Sequence, residues 1–195
     1  KPKLQSVTFK IIPDSNAQLA QLLSGDLDLM SVGNPETVDR IKSNPNLTVD
    51  LSTSNIYYFV ALNQDDPRMQ DVRVRQALNY AINKQEVLQI GLGGLGQPIY
   101  GVVQSNMFNY WSGVKGYGYS YDPKKAQALL AYAGYTLKDG VETKNGQPLA
   151  FTTVVYNPDT FKRSAEDVQA QLKKIGVTMS IQLLDLNGEI AAVRK

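Results

Sequence analysis

Residues 71–94, Asp-Val-Arg-Val-Arg-Gln-Ala-Leu-Asn-Tyr-Ala-Ile-Asn-Lys-Gln-Glu-Val-Leu-Gln-Ile-Gly-Leu-Gly-Gly, read as two helices placed end to end. Asp71 can cap the first, because its carboxylate accepts from amides that the opening turn leaves without partners. Val74, Ala77, Leu78, Ala81 and Ile82 then recur on one helical face. Asn83 and Glu86 have the spacing of a capping box, so a second helix starts there, runs toward Ile90 and stops at Gly91.

The flanking sequence alternates between the two periods of regular structure. Residues 7–12 (Val-Thr-Phe-Lys-Ile-Ile) alternate like a strand and end at Pro13. Ser15 can cap a short helix over residues 16–23, terminated by Gly25, and residues 26–30 read as a second strand. Asn34-Pro35 opens another helix, with Pro at its first position and Glu36 in its first turn, running to about Lys42; residues 47–51 form a third strand. Residues 52–55 (Ser-Thr-Ser-Asn) offer no core-forming side chain. The apolar run 56–62 (Ile-Tyr-Tyr-Phe-Val-Ala-Leu) is long enough for a strand buried on both faces. Asp65-Asp-Pro67 marks a turn. Asp122-Pro123 caps a helix whose Ala126, Leu129, Leu130 and Ala133 face the core before Gly134 ends it. Asn145-Gly146 is a hairpin turn leading into a strand at 149–156. A last long helix carries Phe161, Ala165, Val168, Leu172 and Ile175 at helical spacing, Gly176 stops it, a strand covers 177–184, and residues 187–195 begin another element. Strands alternating with short helices imply βαβ units and a mixed or parallel sheet.

Residues 71–94, with Tyr-Phe-Val-Ala-Leu-Asn at 58–63, Tyr-Asp-Pro-Lys-Lys-Ala at 121–126 and Ala-Gly-Tyr at 133–135, resemble the signature of the family 5 extracellular solute-binding proteins. These are the peptide- and nickel-binding receptors of ABC importers. The resemblance is closest over 57–135, looser over 149–184 and loosest over 7–50. It implies an α/β fold like that of the periplasmic binding proteins (type II, cluster C), with mixed sheets flanked by helices. Residues 1–54 would be the end of lobe one with the crossover, and 55–195 most of lobe two. The 195-residue chain would then be part of a longer protein, since family members run to several hundred residues. Such a protein captures oligopeptides or dipeptides between its lobes by hinge closure and presents them to an ABC permease, with nickel chelates and oligosaccharides as family alternatives. The setting would be the periplasm or, for a membrane-anchored lipoprotein, the cell exterior. The acidic residue that pairs with a peptide's α-amino group in the family falls beyond the element after 177–184, so no charged anchor carries over to this sequence. The same fold serves as the sensor half of some transcription regulators, and a helix-turn-helix domain encoded upstream would decide for that.

Composition narrows the chemistry. The sequence has no cysteine and no histidine, which removes thiolate and disulfide chemistry, the usual general base and the commonest transition-metal ligand together. An enzyme would need carboxylate, Tyr or Lys chemistry, and the expectation is that this is no enzyme and uses no metal or cofactor. Twenty basic and eighteen acidic residues are scattered along the chain, which gives no electrostatic case for nucleic acid. No segment is apolar enough to span a membrane.

Several motifs have ordinary explanations. Gly91-Leu-Gly-Gly-Leu-Gly96 satisfies the dinucleotide fingerprint, but a helix enters it and Gln97-Pro98 leaves, whereas that site needs a strand entering and a helix leaving. Asp26 with Asp28, and Asp65 with Asp66, read as a strand end and a turn rather than metal or catalytic pairs. Arg73 and Arg75 point to different faces of one helix, so one is expected in solvent and the other in a structural ion pair. The aromatic residues are the better candidates for ligand contact. Tyr57, Tyr58 and Phe59 follow the expected crossover, and Trp111 lies with Tyr110 in an irregular aromatic stretch at 107–121. On an extended backbone Tyr57 and Phe59 share one face while Tyr58 takes the other.

Overall fold

The computed structural model describes residues 3–52 and 54–193. Thr53, within the expected crossover, and the last two residues of the expected terminal element lie outside the described residues. Two compact units form, Lys1–Val49 and Asp50–Lys195, dividing just ahead of the Ser-Thr-Ser-Asn stretch.

The smaller unit is built on two helices. Helix α1 (Ser15–Ser24) is capped by Asp14, whose carboxylate accepts from the Ala17 amide at 2.7 Å; Ser15, the expected cap, is the first helical residue instead. Helix α2 (Pro35–Lys42) starts as anticipated, with the Asn34 side chain accepting from the Thr37 amide. Leu19, Leu22 and Ile41 form the core between them, and Leu27, Met30, Val32, Leu47 and Val49 pack against it. The expected strands at 7–12, 26–30 and 47–51 are not formed. Inward alternation appears only at Leu47 and Val49, which pack against the core; Val7, Phe9 and Ile11 are all exposed, and Leu29 is exposed although Leu27, in phase with it, packs against the core. No neighbouring edge among the described residues supplies ladder hydrogen bonds, and β-propensity without a partner does not make a strand.

The larger unit carries one extended core. Asp66 caps the single turn α3 (Pro67–Gln70) and Asp71 caps α4 (Val72–Ala81), whose Val74, Ala77, Leu78 and Ala81 are all buried. Arg73 closes on Asp71 at 2.7 Å and holds its carboxyl down at about 2. Arg75, on the other side of the helix, donates to the carbonyls of Met69 and Gln70 and ties α3 to α4 rather than standing in solvent. Helix α5 (Lys84–Leu92) is capped by Asn83 as its spacing predicts, but it runs through Gly91 and ends at Gly93. Gly91 is instead a packing residue, because a Cβ there would lie 2.0 Å from Ser164 Oγ. After a 3₁₀ turn at Ser112–Tyr117, α6 (Pro123–Tyr132) packs on α4 through Ala126 and Leu130.

The next residues form a three-stranded antiparallel meander, β1 (Thr136–Lys138), β2 (Val141–Lys144) and β3 (Gln147–Pro148). Asn145-Gly146 makes its second turn as expected, with both residues at positive φ. Its first turn, Asp139-Gly140, has the same signature. Strands β4 (Ala150–Tyr156) and β5 (Thr178–Leu184) then pair in parallel, joined by α7 (Asp159–Lys174), and α8 (Leu186–Val193) follows. The expected βαβ unit is thus present as a two-stranded ribbon. Helix α7 buries Val168, Leu172 and the polar pair Asp167 and Gln171. Gln171 accepts from the Asn83 amide at 2.6 Å and donates to Asp167 at 2.6 Å, so a buried polar link holds the α4–α5 junction against α7. Burial raises the Asp167 carboxyl above its usual range, partly offset by that hydrogen bond.

Gly176 joins α7 to β5 where β2 crosses. Its φ is +80°, and an added Cβ would meet Leu137 Cδ1 at 2.6 Å and the Glu142 amide nitrogen at 3.0 Å, while its carbonyl accepts from that same amide. Gly176→Ala should destabilise the protein by about 2–4 kcal/mol in urea unfolding, combining left-handed strain with a backbone clash. Glu142 beside it is buried, one carboxyl oxygen has no hydrogen-bond partner, and burial pushes its pKa above the ordinary 4.5. The folded chain therefore keeps that proton to higher pH than the unfolded chain. This group's contribution is full below about pH 4.5 and falls as pH rises through the folded value. Glu142→Gln should match the parent protein's stability near pH 4 and exceed it increasingly toward neutrality, as read by the urea midpoint across pH.

Candidate ligand-binding site

The run 56–62 is extended but unpaired among the described residues, and it is not the doubly buried strand its composition suggests. Tyr57, Tyr58 and Phe59 are 36%, 50% and 72% exposed, so none of the three is core. The expected alternation nevertheless holds at the level of side chains. Tyr57 and Phe59 meet on one side, with ring centroids 5.5 Å apart. Tyr58 turns the other way and sets its ring edge-on to Phe161 at 4.9 Å, and Phe161 in turn packs on Tyr156 at 5.6 Å.

This second cluster has a structural address. Tyr156 is the last residue of β4, in register with Leu184 at the end of β5, and Phe161 lies in the opening turns of α7. The cluster therefore sits outside the carboxyl ends of parallel strands, where open α/β sheets place their ligand crevices. Phe161 had been expected on the core face of its helix. It reaches the rim instead because the core contacts of α7 begin further along, at Ala165 and Val168. Tyr156 and Phe161 could be anticipated only through the end of a strand and the Asn-Pro that follows it.

Trp111 stands apart from these rings. Its indole folds over Gly113, where a Cβ would lie 2.2 Å from Cζ2, and meets Tyr117 at 5.7 Å while remaining exposed. Among the described residues, Asn106 Nδ2 donates to Asn55 Oδ1 at 2.9 Å and so ties its stretch to the segment that precedes the aromatic run. The four candidates thus fall into three groups: Tyr57 with Phe59, Tyr58 with Phe161 and Tyr156, and Trp111 with Tyr117.

Elsewhere in the unit, an open depression of about 550 Å³ is lined by Asn63, Asp65, Asp66, Pro67, Arg68, Gln147 and Pro148. Two of its three charges are paired with each other: Arg68 closes on Asp66 at 2.6 Å, which lowers the Asp66 pKa, and also contacts the Ala150 carbonyl. Among the described residues no three His, Cys, Asp or Glu side chains converge as a metal site would require. None of the described helices is long and apolar enough to cross a membrane.

A parallel ribbon crossed by a helix, with exposed aromatic rings beside the carboxyl ends of its strands, is an arrangement suited to holding a ligand by surface contact. The sequence model of the bacterial extracellular solute-binding proteins, family 5 Middle, matches residues 1–195, and the chain belongs to this family. It is 32% identical to the oligopeptide-binding protein AppA of Bacillus subtilis over 190 residues, covering 95% of this chain and 34% of that protein. It is 34% identical to the nickel-binding periplasmic protein of Escherichia coli over 189 residues, covering 93% and 36%. The structure of Bacillus subtilis AppA in complex with a nonapeptide superposes with a TM-score of 0.77 at 30% identity, over 93% of this chain and 36% of that one. The chain spans about a third of the length of these relatives. Family members are binding proteins, extracellular by their description.

The three aromatic groups separate packing from contact. Tyr58→Ala should cost about 1 kcal/mol of stability by losing its edge contact with Phe161. Phe59→Ala, at a 72% exposed ring that touches the partly exposed Tyr57, should change stability by less than about 0.5 kcal/mol in the same urea titration.

Proposed function

We propose that this chain belongs to the substrate-binding component of an ABC importer that captures oligopeptides or dipeptides between two lobes without making or breaking a bond. Residues 1–54 belong to the end of lobe one with the crossover and 55–195 to most of lobe two. The observation that carries the reading is the exposed aromatic run at Tyr57, Tyr58 and Phe59, in a chain similar along nearly its whole length to a protein solved with a nonapeptide. Tyr57 and Phe59 supply apolar surface with one hydroxyl, a combination that holds side chains of varied shape. Tyr58 contributes from the other side through its packing on Phe161, and Trp111 offers a further contact on its own surface.

The complete protein works in the periplasm or, anchored as a lipoprotein, outside the cell, where the closed form docks on an ABC permease. Isothermal titration calorimetry of the complete protein with short peptides tests the reading. Binding should be saturable, and Phe59→Ala should weaken it about tenfold, equivalent to about 1.4 kcal/mol. No heat with peptides from a folded protein would overturn the proposal, and heat with nickel chelates alone would move it to the cargo named for the Escherichia coli relative.

A further inference from the structure

Lys84 is the first residue of α5, and the amides of that helix end are already served by the Asn83 side chain. The lysine is half-buried, and its Nζ donates to the Tyr119 carbonyl at 3.1 Å. An ammonium has three hydrogens to donate. Among the described residues the other two find no acceptor. The two ion pairs there, Asp66–Arg68 and Asp71–Arg73, do not involve it. Burial alone accounts for the lowered pKa of Lys84, with no carboxylate acting against it. A half-desolvated cation with one neutral hydrogen bond is an incompletely compensated charge.

The surroundings of this ammonium form a cavity of about 170 Å³, lined also by Asn79, Tyr100, Tyr117 and Tyr119. Its walls are fixed by packing. The Tyr100 ring lies flat on the backbone of Gly118, where a Cβ would come within 2.1 Å of Cδ1. Tyr119 meets Tyr80 edge-on at 5.0 Å, with Lys125 Nζ 4.2 Å from the Tyr80 centroid behind it. Tyr117 is held by Trp111. The volume is close to the ~150 Å³ at which an apolar cavity takes up benzene. Two ammonium hydrogens supply what a carboxylate accepts, and flat tyrosine faces supply what a small ring or chain packs against.

We propose that this cavity is a binding site for a small organic monocarboxylate, its carboxylate on Lys84 Nζ and its apolar body between Tyr100 and Tyr117. The site stands on different residues from the aromatic run at Tyr57, Tyr58 and Phe59. Peptide binding and occupation of the Lys84 cavity can therefore succeed or fail separately.

The test is carbon-detected NMR of the complete protein carrying ¹³C-lysine, with benzoate and acetate as probes. Benzoate should shift the Lys84 Cε resonance saturably, with a Kd on the order of 1 mM, and the Lys84 pKa should rise on saturation. Lys84→Gln should abolish benzoate binding, read from the broadening of the benzoate signals. Because Lys84→Gln could also loosen the Tyr119 loop, Tyr117→Ala provides a second readout. Tyr117 is 77% exposed, so its removal should leave the fold intact, weaken benzoate about tenfold and leave acetate unchanged. A Lys84 resonance that does not move while the protein remains folded, shifts confined to other lysines, or benzoate binding that survives both substitutions would overturn the proposal.

Discussion

The larger unit depends on two parallel strands that no tight turn can join. Parallel neighbours need a crossover, and here that crossover is α7, which must leave Tyr156, traverse the ribbon and return at Thr178 in register with Ala150. Everything else in the unit is fitted to that helix. Its apolar stripe of Val168 and Leu172 joins the core with Val177 and Met179, and its polar pair Asp167 and Gln171 is buried because it answers the Asn83 amide. Helix α5 comes close enough to α7 for Gly91 to lie against Ser164, and the meander closes over the far end through the Glu142 amide and the Gly176 carbonyl. The same helix begins at the rim of the candidate site, where Phe161 supports Tyr58. Packing and candidate site are therefore two ends of one element.

Local chemistry was the legible part of this fold. Asn34, Asp71, Asn83 and Asp122 each cap the helix that their positions imply, because a side-chain acceptor beside orphan amides is decided within three residues. The Asn145-Gly146 turn is local in the same sense. Asp139-Gly140 carries an equal signal, yet the strands beside it are so short that no apolar alternation marks them. The strands expected at 7–12, 26–30, 47–51 and 56–62 were misread for the opposite reason. Alternation there marks the inward side chains at Leu47 and Val49 and the opposed faces of Tyr57 and Tyr58, and fails at Phe9, Ile11 and Leu29, which are exposed. Whether such a segment becomes a strand is decided by a partner edge, which its own sequence does not contain. Gly91 shows a related limit: a glycine after an apolar helical run reads as a stop, and only the position of Ser164 identifies it as a point of close approach.

The candidate residues are singled out by sequence, but their grouping is not. Tyr57, Tyr58, Phe59 and Trp111 are all exposed, but the contacts that sort them, Phe161 and Tyr156 on one side and Tyr117 on the other, come from elements far along the chain. The sorting matters for function because a buried aromatic ring stabilises the fold in proportion to the area it removes from water, whereas an exposed one gains only when something covers it. Phe59 and Trp111 contribute little to folding, and Tyr58 is divided between the two roles.

This division suits a protein that must release what it binds. A ligand that completed the core would be held by the full free energy of burial and would couple its departure to local unfolding. In the proposed site, rings that are exposed before a ligand arrives are covered by it without the core having to reorganise, and Tyr58 among them packs on Phe161 at the end of the ribbon. The buried link from Asn83 through Gln171 to Asp167 holds the α4–α5 junction against α7, the helix on which Phe161 supports Tyr58. On the proposed reading, affinity is set by how many rings a ligand covers rather than by any one polar match.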